Sequence, residues 1–112
     1  MKKEYKYDAT VLSVYDGDTI TVEIDLGFHV KIIQPLRLFD INAPEVTGID
    51  KPKGICSRDW LRCKLPIGTK IIIETIKDAQ EKYGRYLANI YLGDEFINES
   101  LVSSGNAKIQ KY

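Results

Sequence analysis

The sequence is poor in the residues that hold structural metals or cross-links in small proteins. It has two cysteines, Cys56 and Cys63, and a single histidine, His29. This content excludes a zinc site built from Cys and His side chains. If both cysteines lie on one helix, the rise between positions 56 and 63 is roughly 10 Å, too far for a disulfide. Free thiols favour a reducing compartment.

The chain also lacks a net charge and a long apolar run. Its 16 Lys and Arg residues balance its 16 Asp and Glu residues, so phosphate binding requires a local cluster of cations rather than a global field. No apolar run approaches the roughly 20 residues of a membrane span. The polar start of the chain is not a signal peptide. We expect a cytoplasmic protein with no membrane partner, or a secreted one from which a leader was removed.

What is present indicates one ordinary globular unit. The chain has 112 residues, of which 44% are hydrophobic and 29% charged. A chain of this length can bury one hydrophobic core without disulfides or a structural metal, and the composition is that of a soluble domain. We expect a single domain over residues 1–112.

Hydrophobic periodicity predicts mostly strands. Strands are expected at 7–14, 19–26, 29–39, 69–76 and 85–92, with helices at 55–65 and 96–104. Pro35 predicts an edge or a bulge in the third strand. Trp60 and the two cysteines are expected in the core of the first helix, and His29 on an exposed strand. A mainly β, α+β chain with a helix after strand 3 and a short C-terminal helix has the order of a five-stranded OB-fold barrel.

The stretch from Leu36 to Glu45 combines a strand with a rigid turn. Pro44 locks the backbone and biases the residue before it, Ala43, toward an extended conformation. Arg37 and Glu45 are therefore held on a stiff frame. A cation and a carboxylate arranged in this way suit chemistry on a phosphate, provided that other segments converge on them.

Two carboxylates flank a glycine in Asp16-Gly17-Asp18. A glycine that can take a positive φ lets both point at one spot, and hard oxygen ligands suit Ca²⁺ or Mg²⁺. Asp-Gly between two strands is equally typical of a hairpin turn. Both interpretations stay open from these residues alone.

Arg37 and Arg85 are candidate phosphate clamps, because a guanidinium stays charged and presents paired donors. Near Arg85, Lys82 is a candidate phosphate contact, and Tyr83 a candidate surface for a sugar or base. Glu45 is a candidate general base. The alternative for each is an exposed loop residue or a surface ion pair.

Taken together, the motifs resemble the staphylococcal nuclease (thermonuclease) family, in particular its short phage and mobile-element members. The resemblance covers nearly the whole chain and rests on VYDGDTI at 14–20, IDLGF at 24–28, RLFDINAPE at 37–45, YGRYLA at 83–88 and INESLVSSGNAK at 97–108.

The resemblance implies a Ca²⁺-dependent phosphodiesterase that hydrolyses DNA and RNA by metal-assisted attack of water and leaves 3′-phosphate ends. It implies catalytic roles for Arg37, Glu45 and Arg85. Lys82 and Tyr83 match residues that line the nucleotide pocket. We expect a monomer that prefers single-stranded substrate and needs no protein partner.

The resemblance also implies a metal site, in which one position departs from the family. Asp18 matches a direct ligand, Asp16 an acid that acts through water, and the carbonyl of Ala43 a further ligand. Asn42 stands where the family has a second carboxylate. An amide oxygen can still bind Ca²⁺, so we expect weaker binding rather than none. On an extended strand Asp40 would share the face of Asn42 and restore charge from farther out.

Two other functions stay open. A non-catalytic OB-fold domain that binds nucleic acid would have a weakened metal site at Asn42 and would bind single strands without cutting them. A protein-interaction module would account for the neutral net charge and would bind no nucleic acid. Family nucleases often continue into a third helix, so weaker substrate binding is expected at the edge near Tyr112.

Overall fold

The computed structural model describes residues 5–80 and 84–110, with side chains described outside 77–80. A one-turn 3₁₀ helix, Gly48–Asp50, lies between the fourth strand and the first helix. The strands and helices within the described ranges are β1 (Lys6–Asp16), β2 (Thr19–Asp25), β3 (Lys31–Leu38), β4 (Ile41–Asn42), α1 (Lys51–Lys64), β5 (Lys70–Gln80), β6 (Tyr86–Leu92), β7 (Glu95–Phe96), α2 (Ile97–Ser103) and β8 (Lys108–Ile109).

Five of these strands close into a barrel. β1, β2 and β3 form an antiparallel meander, and β5 pairs with both β1 and β6. The barrel closes where the last three residues of β3 pair in parallel with the start of β6, with Arg37 opposite Leu87. The closed barrel with one helix after the first three strands and a short helix near the C-terminal end confirms the predicted fold.

The core follows the alternation read from the second strand. Ile20, Val22 and Ile24 of β2 point inward and are at most 4% exposed. In β3 only the end that pairs with β6 is buried, from Leu36 onward. Ile33 stays exposed because the first part of β3 pairs with β2 alone. Pro35 lies on that edge, as predicted.

The first helix differs from the prediction at its start and in its buried face. It begins at Lys51, with Pro52 in the first turn, where a proline has no amide bond to lose. Cys56 and Cys63 are exposed, so their predicted core position is wrong. The buried stripe is Gly54, Ser57 and Leu61, with Trp60 partly buried against the core. Small residues lie inward because this end of the helix packs directly against the backbone of Glu45 and Val46.

One further expectation is corrected, and one segment without a prediction is assigned. His29 is exposed, as predicted, but lies in the turn between β2 and β3 with a φ of 61° rather than in a strand. Residues 108–109, part of a tail without a prediction, form β8, which pairs with β4 through Ile41–Ile109 and Asn42–Lys108. None of the helices in the described part of the chain has the length and apolar character needed to cross a membrane.

Candidate active site

The turn between β1 and β2 holds two buried carboxylates. The backbone N–H of Asp18 donates to Oδ1 of Asp16 at 3.1 Å, which closes the turn. Gly17 does not have a positive φ, so the conformational reason expected for it is wrong. Its role is close approach: a Cβ at this position would lie 2.1 Å from Ser57 Oγ and 2.7 Å from Ala43 Cβ. Glycine therefore lets the turn pack against α1 and against the segment before Pro44.

Asp18 is the hub of the site. Its Oδ2 accepts a hydrogen bond from the backbone N–H of Ala43 at 2.8 Å and lies 3.1 Å from Arg37 Nη1. Its Oδ1 accepts from the hydroxyl of Thr19 at 3.2 Å. Asp18 is 5% exposed, so these donors replace the water that the carboxylate loses on burial.

Arg37 lies on β3 directly opposite Thr19 of β2 and is 7% exposed. Its Nη1 also donates to the Leu38 carbonyl at 3.1 Å, and its Nη2 donates to Asn42 Oδ1 at 3.3 Å. The guanidinium therefore stands between Asp18 and Asn42, the two side chains expected to bind metal. Both side chains therefore direct an oxygen atom at the same guanidinium.

Arg85, the residue immediately before β6, joins the same network. Its Nη1 donates to Thr19 Oγ1 at 2.9 Å, and that hydroxyl in turn donates to Asp18. An unbroken chain of contacts thus runs from Arg85 through Thr19 and Asp18 to Arg37 and Asn42. These residues come from three separate parts of the sequence.

Glu45 and Arg85 line one cavity of about 440 Å³, which Asp16 and Thr19 also line. Glu45 is exposed there, and so accessible to a ligand. Its backbone is held by the first helix: a Cβ at Gly54 would lie 1.9 Å from the Glu45 carbonyl oxygen and 2.8 Å from the next amide nitrogen. Sequence reasoning missed Gly54. The predicted helix began at residue 55, one position after Gly54, so a glycine inside a helix was not available as a signal.

The two carboxylates of the turn differ in their charged neighbours, because Arg37 pairs with Asp18 whereas no described cation forms an ion pair with Asp16. Burial and the neighbouring Asp18 carboxylate, through a shared hydrogen bond and repulsion, together raise the pKa of Asp16 to about 7. Within the described residues, no three His, Cys, Asp or Glu side chains form a group that could hold a metal ion. A cation here would be bound by two carboxylates at most, together with neutral oxygen atoms.

Other predicted residues are placed differently. Asp40 has a φ of 62°, in a turn between β3 and β4, so the extended-strand argument that put it on the face of Asn42 is wrong. Lys82 and Tyr83 lie outside the described residues. Asn98, quoted only as part of a motif, is 2% exposed and holds the barrel seam: it accepts from the Ile90 amide and donates to the Phe39 and Ala88 carbonyls.

The fold and the site together define a small closed β-barrel with an oxygen-rich, doubly arginine-lined site at its seam. The chain belongs to the staphylococcal nuclease family, since residues 35–112 match the family model described as staphylococcal nuclease homologue. The resemblance inferred from the motifs is therefore confirmed.

Characterised relatives agree with this assignment. The chain is 34% identical over 105 residues to the thermonuclease of Staphylococcus hyicus, a match that covers 91% of this chain and 59% of the relative. It is 30% identical to the thermonuclease of Staphylococcus intermedius, with the same coverage. It is 29% identical over 113 residues to endonuclease YhcR of Bacillus subtilis, covering 93% of this chain and 9% of that protein. The chain thus spans about six-tenths of the thermonucleases it matches.

Proposed function

We propose that this protein is a nuclease that hydrolyses phosphodiester bonds of DNA and RNA, with single strands preferred, by metal-assisted attack of water. Ca²⁺ is the proposed metal, and 3′-phosphate ends are the proposed product. The relatives named thermonuclease and endonuclease support this proposal.

One observation carries the proposal. A continuous chain of contacts links two arginines to two side chains that could bind a metal through oxygen; it runs Arg85–Thr19–Asp18–Arg37–Asn42. Glu45 lines the same cavity as Arg85. In phosphodiester hydrolysis, arginine donors stabilise the negative charge that develops in the transition state. A nearby carboxylate can act as the general base. A surface ion pair would not explain why Asp18 and Arg37 are both buried.

The donor set fits Ca²⁺. The metal would be held by Asp18, Asn42 and the carbonyl of Ala43, with Asp16 acting through water. Asp18 uses three of about four lone-pair positions on protein donors, and Asn42 Oδ1 accepts one described bond, so both keep accepting capacity. Bound there, the metal supplies positive charge that polarises the phosphate. Ca²⁺ prefers six to eight oxygen ligands, so water and substrate must complete the set.

Three protein side chains have separate roles in the proposed reaction. Within the described contacts, Arg37 uses both Nη1 protons and one Nη2 proton, which leaves Nε–H and one Nη2–H to donate to a phosphate oxygen. Arg85 donates from the cavity wall. Glu45, exposed in the cavity, orients the attacking water and takes its proton.

The test is digestion of denatured DNA with Ca²⁺, with Mg²⁺ or with EDTA. Cleavage is expected with Ca²⁺ only, and the product ends should carry 3′-phosphate, detected by their resistance to extension until a phosphatase is added. Glu45→Gln should reduce kcat by at least 100-fold, the lower range for loss of a general base. Glu99→Gln, an exposed change on α2, is the matched control and should leave kcat unchanged.

Absence of Ca²⁺-dependent cleavage, or cleavage that Glu45→Gln does not reduce, would contradict the proposal. The guanidinium between Asp18 and Asn42, with an amide in place of a carboxylate, favours a second candidate, a nucleic-acid-binding barrel with a weakened metal site. Binding of single-stranded DNA without cleavage would select that candidate.

A further inference from the structure

A second groove lies beside the candidate active site. It has a volume of about 470 Å³ and is formed by the Pro44 turn, the first turns of α1 and the segment that leads into β8. Pro44 lines this groove, while its neighbour Glu45 lines the cavity described above. The two depressions therefore meet at one turn.

The groove is positively charged although the chain is neutral. Lys53 and Lys108 line it and both are exposed, and no Asp or Glu lines it. Among the described side chains, neither ammonium group has an ion-pair partner. A local excess of cations in a protein with 16 charges of each sign is the feature expected of a phosphate contact.

Lys108 is tied to the candidate metal site by strand pairing. It lies directly opposite Asn42 in the antiparallel ladder of β4 and β8, so the two side chains leave the same face of the ladder. Cross-strand partners have Cα atoms about 5 Å apart. A chain of nucleotides that passes the candidate metal site therefore reaches Lys108 within one nucleotide.

We propose that this groove is a subsite for the phosphodiester group next to the scissile one in a single-stranded nucleic acid. Lys53 and Lys108 neutralise that phosphate, and Pro44, Pro52 and Ala107 provide apolar contacts for its sugar. The inference rests on the proposed function, because it assumes that the scissile phosphate lies between Arg37, Arg85 and Glu45. It assigns substrate binding to residues other than the candidate catalytic residues Arg37, Glu45 and Arg85.

The test measures binding separately from cleavage. A labelled 12-nucleotide single strand is titrated with protein carrying Glu45→Gln, with and without Lys53→Ala/Lys108→Ala, at several salt concentrations. The dissociation constant should rise about tenfold. The slope of log K against log salt should become shallower by about 0.7, the value for one neutralised phosphate on a single strand.

The matched control is Lys31→Ala/Lys70→Ala, which removes the same charge. These lysines lie in another groove, where Lys31 pairs with Glu23 and Lys70 donates to Thr10. This control should leave binding unchanged. Cleavage assays use protein that retains Glu45. In these assays Lys53→Ala/Lys108→Ala should raise KM for the 12-nucleotide strand more than for a dinucleotide, because a dinucleotide is too short to occupy both the candidate active-site cavity and the groove.

The outcomes separate the two proposals. If the strand is not cleaved but Lys53→Ala/Lys108→Ala weakens binding and the control does not, the proposed function fails, while the groove is still shown to bind a phosphate of the strand. If cleavage occurs and both double variants bind alike, the subsite is overturned and the nuclease stands. All four substituted lysines are exposed, so equal melting temperatures are expected and confirm that folding is not the cause.

Discussion

Asp18 and Arg37 form a buried ion pair, with 3.1 Å between Oδ2 and Nη1 and side chains 7% and 9% exposed. Burial of two charges costs free energy that their attraction offsets only if other hydrogen bonds complete the pair. Here Ala43, Thr19 and the Leu38 carbonyl do so. The pair joins the turn between β1 and β2 to the end of β3, and so fixes the positions of these two parts of the site relative to each other.

The first prediction concerns this pair. Arg37→Ala leaves the Asp18 carboxylate buried without its countercharge and should lower the free energy of unfolding by about 3 kcal/mol. Urea denaturation at neutral pH measures the change. The double variant Asp18→Asn/Arg37→Met, which removes both charges, should recover part of the loss while remaining inactive. An Arg37→Ala protein as stable as the parent would show that the pair is not a structural link.

The second prediction concerns Gly54. Gly54→Ala places a methyl group where the Glu45 carbonyl now lies, so α1 or the Glu45 turn must move. Overpacking of this kind costs about 1–3 kcal/mol, and the shift of Glu45 should reduce kcat more than it raises KM. Urea unfolding and steady-state kinetics measure the two effects. Cys63→Ala, an exposed change on the same helix, is the control and should alter neither quantity.

The third prediction concerns Asn42. Asn42→Asp adds a carboxylate to a set of proposed metal ligands that contains few carboxylates. The number of charged ligands is a main determinant of calcium affinity. We expect roughly tenfold tighter Ca²⁺ binding, measured by calorimetry without nucleic acid. Asn106→Asp, a change of the same chemistry outside the contact network, should not tighten binding. Unchanged affinity in Asn42→Asp would rule out residue 42 as a ligand.

The fourth prediction concerns Thr19, whose hydroxyl connects Arg85 to Asp18. Thr19→Val keeps the shape and removes both hydrogen bonds. Hydrogen bonds to charged groups contribute about 1.5–3 kcal/mol, so kcat should fall by roughly tenfold or more. Restoring the hydroxyl with Thr19→Ser should return most of the rate, whereas a purely structural role would not distinguish Ser from Val at equal stability.

The barrel was largely predictable from sequence because strand alternation is a local property. Ile20, Val22 and Ile24 alternate with polar residues whatever they later pack against, and all three are buried. The start of α1 was harder to predict. The prediction placed apolar Cys56 and Cys63 inward, whereas Gly54 and Ser57 face the interior because the neighbouring backbone leaves no room for larger groups.

The sequence by itself determined the strand order, the family and the residue types brought to the site: two arginines, a turn with two carboxylates, and a glutamate after a proline. Only the tertiary structure decided that Arg37 lies between Asp18 and Asn42, that Gly17 and Gly54 are needed for close approach, and that Lys108 lies opposite Asn42. The reason is physical. Periodicity and turn chemistry act over neighbouring residues, whereas these contacts depend on how β3 meets β6 and how α1 packs against the barrel.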